Sequence, residues 1–121
     1  VVIAVLGEGC TAKRATAPPH RNQVAIGKAV FLAKCARCHG QKGEGYIGRT
    51  LVAPYDPLAG YRTADSLFTY VSKAMPFDNP GSLKEQEYWD VIAFLLDANG
   101  VLPPGTEVGK ENAKMVKTTK K

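Results

Sequence analysis

The chain has 121 residues, of which 45% are hydrophobic and 22% charged, proportions that fit one small globular domain and exclude a fibrous or fully disordered protein. Its net charge of +5 sits at the ends: residues 1–21 hold three basic side chains and one acidic, residues 104–121 five and two, and residues 22–103 eight of each. A nucleic-acid-binding domain carries its basic face on the folded scaffold, so that class is set aside. Basic tails suit an acidic partner or anionic lipid instead.

The run Val1-Val2-Ile3-Ala4-Val5-Leu6 is too short to span a bilayer and reads as the end of a signal-like hydrophobic region. Gly7-Glu8-Gly9-Cys10 is an imperfect match to a lipobox, with the leucine one place early and Glu8 where a small residue belongs. Two readings follow: Cys10 is acylated and attaches the chain to a membrane, or the segment is an ordinary export signal and Cys10 is incidental. Under the first, residues 11–22, with Pro18-Pro19, form a tether.

A first helix is expected over Gln23–Cys35, with Val24, Gly27, Val30 and Phe31 along one face. Glycine inside a helix is unfavourable, and a close backbone crossing is the natural reason for Gly27. Cys35-Ala36-Arg37-Cys38-His39 follows. It is the C-x-x-C-H pattern of c-type haem attachment, two thiols placed for thioether bonds and an imidazole placed as proximal iron ligand. A zinc site would need two more ligands, and Cys10 and His20 are too far away in sequence to look like them. A thioredoxin-type pair would sit beside a βαβ unit, and no alternating strand-like run flanks this one. Thioether attachment takes place outside the bacterial cytoplasmic membrane, so motif and signal-like start agree on an exported protein, periplasmic or membrane-attached.

The glycine-rich stretch 40–48 lacks the G-K-[ST] of a phosphate loop and reads as a flexible wrap. Residues 52–62, with Pro54, Pro57 and Gly60, form a loop. Thr63 caps a helix through Ala74 whose stripe is Leu67, Tyr70, Val71 and Ala74. Met75-Pro76 then ends it, since proline bars helix continuation and extends the residue before it. A methionine held in such a turn can present its thioether to a metal, which makes Met75 the candidate second axial ligand. Its plain alternative is a core filler. His20 is the competing ligand, and Met115 lies in a lysine-rich tail with nothing to hold it. Ser82-x-x-Glu85 is read as a capping box opening a helix from Leu83 to Ala98, with Tyr88, Val91, Ile92 and Leu95 inside and Asn99-Gly100 as its stop. Residues 104–121 are expected to be extended or partly disordered, having little apolar content.

Cys35–His39, Met75-Pro76 and the aromatic last helix together resemble a class I cytochrome c over residues 22–100, of the small bacterial monohaem type that serves as partner or subunit of periplasmic oxidoreductases. The resemblance implies an all-α fold packed around one covalent haem c, with the domain at 22–103. It implies a crossing of first and last helices at Gly27, Phe31, Val91 and Phe94, and a haem cradled by the Tyr70 helix and the Met75 loop. The family's Gly-Pro-x-Leu after the haem motif is replaced by Gly48-Arg49-Thr50-Leu51. The Arg49 carbonyl is then the acceptor for the proximal imidazole, without a proline to stiffen it.

With Cys35 and Cys38 attached, and His39 and Met75 on the iron, the expected function is one-electron transfer between redox proteins, not enzymatic turnover. Lys34, Arg37, Lys42 and Lys73 would form a basic haem face, and Glu85, Glu87, Asp90 and Asp97 an acidic back, steering the chain to an acidic docking surface. Two alternatives stay open: a fixed cytochrome subunit of a larger membrane or periplasmic complex, and, if Met75 does not ligate, an open-site haem protein such as a gas sensor or peroxidase.

Overall fold

Asn22 starts the first helix by accepting a hydrogen bond from the Ala25 amide at 3.1 Å, which satisfies one of the amide groups a helix start leaves without a partner. In the computed structural model, which describes residues 21–121, helix α1 spans Gln23–Lys34 and the short α2 spans Ala36–His39. A 3-10 turn at Ala59–Tyr61 precedes α3, Ala64–Ala74, and α4 covers Glu85–Ala98. The architecture is all-α: among the described residues the sole bridge is the isolated pairing of Thr63 with Lys117. No described helix is long and apolar enough to cross a membrane. Cys10 and His20, and nearly all of the signal-like start and tether, lie outside the described residues.

The core is the crossing of α1 on α4. Gly27 is buried, and a Cβ there would overlap the Asp90 carbonyl oxygen and press on Phe94. The close approach inferred from sequence is therefore real. One turn on, the rings of Phe31 and Phe94 meet at 5.2 Å. Val91, Ile92, Leu95 and Leu96 complete the buried face of α4.

Three expectations need correction. Helix α4 begins at Glu85, and the Glu87 carboxylate, not Glu85, reaches back to the Lys84 amide at 2.8 Å. The Leu83 amide is held by the Tyr88 hydroxyl at 3.3 Å, so the residues before the helix are fixed by side chains of its first turn. Asp90 is no part of an acidic back. It is 2% exposed, pairs with Arg21 at 3.0 Å, and accepts from the side-chain amides of Gln86 (2.9 Å) and Gln23 (3.3 Å). A buried carboxylate without such partners would be strongly unfavourable.

The third correction concerns residues 104–121, which pack on the domain. Val108, Ala113, Val116 and Thr118 are buried within the structure, so position 103 marks no edge of the fold. The first two amides of α3 donate to this C-terminal strap, Ala64 to the Val116 carbonyl at 2.8 Å and Asp65 to that of Ala113 at 3.2 Å. At its start, Gln23 bonds Val108 twice, donating to the carbonyl at 2.8 Å and accepting from the amide at 2.7 Å. At its end, the Thr118 hydroxyl donates to the Leu58 carbonyl at 2.7 Å. A few small apolar side chains spaced over turns, with the backbone bonded to helix and loop, do here what an amphipathic stripe does elsewhere.

Candidate haem site

Cys35 is the joint of the site: it closes α1, with its amide on the Phe31 carbonyl at 2.8 Å, and opens α2. The Cys38 and His39 amides turn back to the Cys35 carbonyl at 3.1 and 3.0 Å. This single turn brings both thiols and the imidazole onto one cavity of about 460 Å³. Neither thiol is in a disulfide. Burial, with a further contribution from neighbouring Cys38, pushes the Cys35 thiol up to about 11.

The loop leaving the motif folds over His39. The Gly45 amide donates to the His39 carbonyl and that of Gly48 to the Cys38 carbonyl, both at 2.6 Å. The imidazole Nδ1 lies 2.7 Å from the Arg49 carbonyl oxygen. The acceptor role survives the missing proline, because it belongs to the backbone. With Nδ1 carrying the proton, Nε2 is left with its lone pair for a metal. Gly48 packs so closely that a Cβ there would stand 2.7 Å from the ring's Cε1.

Met75 lines the same cavity. It is the extended residue that terminates α3, its amide still on the Val71 carbonyl at 3.0 Å. Met115 is 82% exposed and does not line the cavity. The remaining walls are chiefly apolar, with Phe31, Leu58, Leu67, Val71, Val91 and Leu95 drawn from all the long helices and the 57–61 turn. Tyr70, on the apolar stripe read for α3, is 47% exposed and lines this cavity.

The donor set and its setting fit a covalently attached haem. There are two unpaired thiols, an imidazole with a fixed tautomer, a thioether, and an apolar enclosure within the usual size range of cofactor pockets. Sequence reasoning missed the supporting groups: Gly48 against the imidazole, the Tyr88 hydroxyl, the Thr118 hydroxyl, and Asn99. The Asn99 side chain donates to the Leu51 carbonyl at 2.9 Å and accepts from the Ala53 amide at 3.0 Å, fixing a wall segment. One signal was available, for a buried tyrosine ordinarily has a partner for its hydroxyl.

Residues 22–95, more than half of the chain, match the family model described as cytochrome C oxidase, cbb3-type, subunit III. The chain belongs to this cytochrome c family. Its cofactor is therefore covalently bound haem c with iron, and its role is to carry electrons. Among curated relatives, the thiosulfate dehydrogenase of Allochromatium vinosum is 32% identical over 79 residues, which make up 58% of this chain and 29% of that protein. The structure of the sulfane dehydrogenase SoxCD from Paracoccus pantotrophus has a TM-score of 0.59 at 27% identity, covering 78% of this chain and 52% of that one. Thiosulfate dehydrogenase (TsdBA) from Marichromatium purpuratum gives 0.53 at 28%, covering 74% and 21%. The cytochrome spans 24–29% of the length of the curated relatives it matches.

Proposed function

We propose that this cytochrome holds its haem through thioether bonds from Cys35 and Cys38, with His39 and Met75 as the two axial ligands, and passes single electrons between redox proteins without itself turning over a substrate. The observation that carries this reading is the convergence of all four side chains on one apolar cavity. When bound, the haem iron supplies reversible one-electron cycling between ferrous and ferric states. The chain's own residues set the terms. Arg49 holds the imidazole through its carbonyl, and such a bond both orients the ring and raises its basicity. Phe31, Leu58, Leu67 and Leu95 exclude water, and a low-dielectric wall disfavours the added charge of the oxidised centre. A thioether as second ligand acts in the same direction. With His39 and Met75 both holding the iron, no position on it would be open to a substrate.

Lys34 and Arg37 stand at the cavity and Lys42 and Lys73 are exposed, which supports docking on an acidic partner. Arg37 is paired with Asp78, so the basic face is weaker than a count of residues suggests. The relatives are dehydrogenases of sulfur compounds in which a segment like this one is a fraction of the whole, and they favour a role as cytochrome partner or subunit of such an oxidoreductase. Family membership and the signal-like start together support export, with attachment through Cys10 as the finer possibility to test by Cys10→Ala and membrane fractionation.

The test is a visible and near-infrared spectrum in both redox states, on the parent protein and on Met75→Ala and Met115→Ala. The expected result is a low-spin six-coordinate ferric centre whose near-infrared thioether band disappears with Met75→Ala and persists with Met115→Ala. A parent protein without that band would instead support the open-site reading if its ferric centre is high-spin, and ligation by His20 if it is low-spin.

A further inference from the structure

Helix α3 ends at Ala74 with Met75 as its cap, and the nine-residue stretch Met75–Leu83 carries the chain to Lys84, the cap of α4. A ligand on such a loop is held only as firmly as the loop's two ends. Inside it, the Asn79 amide donates to the Pro76 carbonyl at 2.9 Å, and the Gly81 amide returns to the Met75 carbonyl at 3.2 Å. The shorter bond at that carbonyl comes from elsewhere: the Tyr88 hydroxyl donates to it at 2.7 Å. The same hydroxyl accepts from the Leu83 amide at 3.3 Å. One phenol oxygen therefore joins both ends of the loop to the first turns of α4.

The phenol is itself fixed. Tyr88 is 3% exposed, and Phe68 of α3 meets its ring edge-on at 6.3 Å and stacks on Trp89 at 3.8 Å. A buried hydroxyl is tolerated where it makes hydrogen bonds, and here both of its bonds go to the loop. Phenylalanine would fill the same apolar position on α4, so packing alone does not account for the oxygen.

We propose that Tyr88 is a positioning residue for the Met75 ligand, its hydroxyl holding the Met75–Leu83 loop closed on α4. This rests on the reading of Met75 as axial ligand. To leave the iron, the thioether must move with its backbone, and the bond from Tyr88 is among those that movement breaks. Removing the hydroxyl makes the open loop easier to reach without touching the ligand, the thioethers or the imidazole.

The experiment uses the holoprotein and imidazole as an exogenous ligand that displaces a thioether from ferric iron. Tyr88→Phe should keep the near-infrared thioether band, yet bind imidazole roughly tenfold more tightly, the scale of one lost hydrogen bond. Val108→Ala, a core change outside both loop and cavity, should lower the denaturation midpoint and leave the imidazole affinity alone. Parent-like imidazole binding by Tyr88→Phe, with only its midpoint lowered, would reduce Tyr88 to a packing residue and overturn the proposal. Should that variant not fold, amide exchange in the parent decides: a protected Leu83 amide whose exchange speeds up on imidazole binding supports the clamp, and one that exchanges freely throughout overturns it. Met75→Ala separates the two readings. If it leaves the thioether band in place, the ligand assignment fails and the clamp with it. If it removes the band while Tyr88→Phe behaves as the parent, only the clamp fails.

Discussion

The His39 side of the cavity and the side formed by Met75 and the 57–61 turn are held by different kinds of contact. Around His39 every bond is local: Cys38 and His39 to the Cys35 carbonyl, Gly45 to His39, Gly48 to Cys38, and the imidazole to Arg49. All fall within residues 35–49. Across the cavity, the Met75 carbonyl is bonded from α4 by Tyr88, and Leu58 is bonded by Thr118, sixty residues away. Local contacts close small loops at little entropic cost, whereas the distant ones form only once α4 and the strap have docked. The attachment side can thus be ordered early, while the other side depends on the completed fold.

The harshest way to break that asymmetry is to remove the strap. Deleting residues 105–121 takes away Val108, Ala113, Val116 and Thr118 and uncovers the start of α3. Burial of each of the two valines contributes about 1.5–3 kcal/mol and each hydrogen bond from the strap to Gln23, Leu58, Arg62, Ala64 and Asp65 about 1 kcal/mol, so the total approaches the whole stability of a small domain, roughly 5–15 kcal/mol. Haem should remain covalently attached in the truncated chain, whereas six-coordinate ligation and cooperative unfolding should be lost. A truncated protein with a parent-like denaturation curve and spectrum would show that the strap is an appendage, as its composition suggests.

That misleading composition shows what was legible. The C-x-x-C-H motif, the Thr63 cap, the close approach at Gly27 and the periodic faces of α1 and α4 could all be read from sequence, because each signal is short-range or repeats at the helical spacing. The Arg49 carbonyl was reachable too, since a backbone acceptor needs no particular side chain. The strap was not. Its buried residues lie at 108, 113, 116 and 118, a spacing with no helical or strand period, among lysines that dominate the count. Asp90 misled for a related reason: beside Glu85, Glu87 and Asp97 it looks like one more solvated acid, and only the fold brings Arg21 and Gln23 to it. The Tyr88 hydroxyl was hidden within a correctly assigned apolar face.

A smaller change on the local side is Gly48→Ala. Its Cβ would lie 2.7–3.1 Å from three atoms of the His39 ring, so either ring or loop must shift. Overpacking of this kind costs typically 1–3 kcal/mol. The expected signature is a lowered midpoint together with an altered visible spectrum and redox potential, because the displaced group is the proposed ligand. An unchanged spectrum would mean that the loop yields and the imidazole does not, making this side softer than its short bonds imply.

The mildest test is Thr118→Val, which keeps the shape and removes one hydroxyl. The Leu58 carbonyl then retains the Tyr61 amide at 3.1 Å, so it is weakened and not orphaned, and a loss of about 1 kcal/mol is expected. The effect should also be one-sided. Exchange at the Tyr61 amide should quicken, because its acceptor is less firmly placed, while the Gly45 and Gly48 amides should exchange at the parent rate. The spectrum should stay unchanged, since Leu58 is wall and not ligand. If the Gly45 and Gly48 amides speed up equally, the two sides unfold as one unit and the division between local and distant support does not hold.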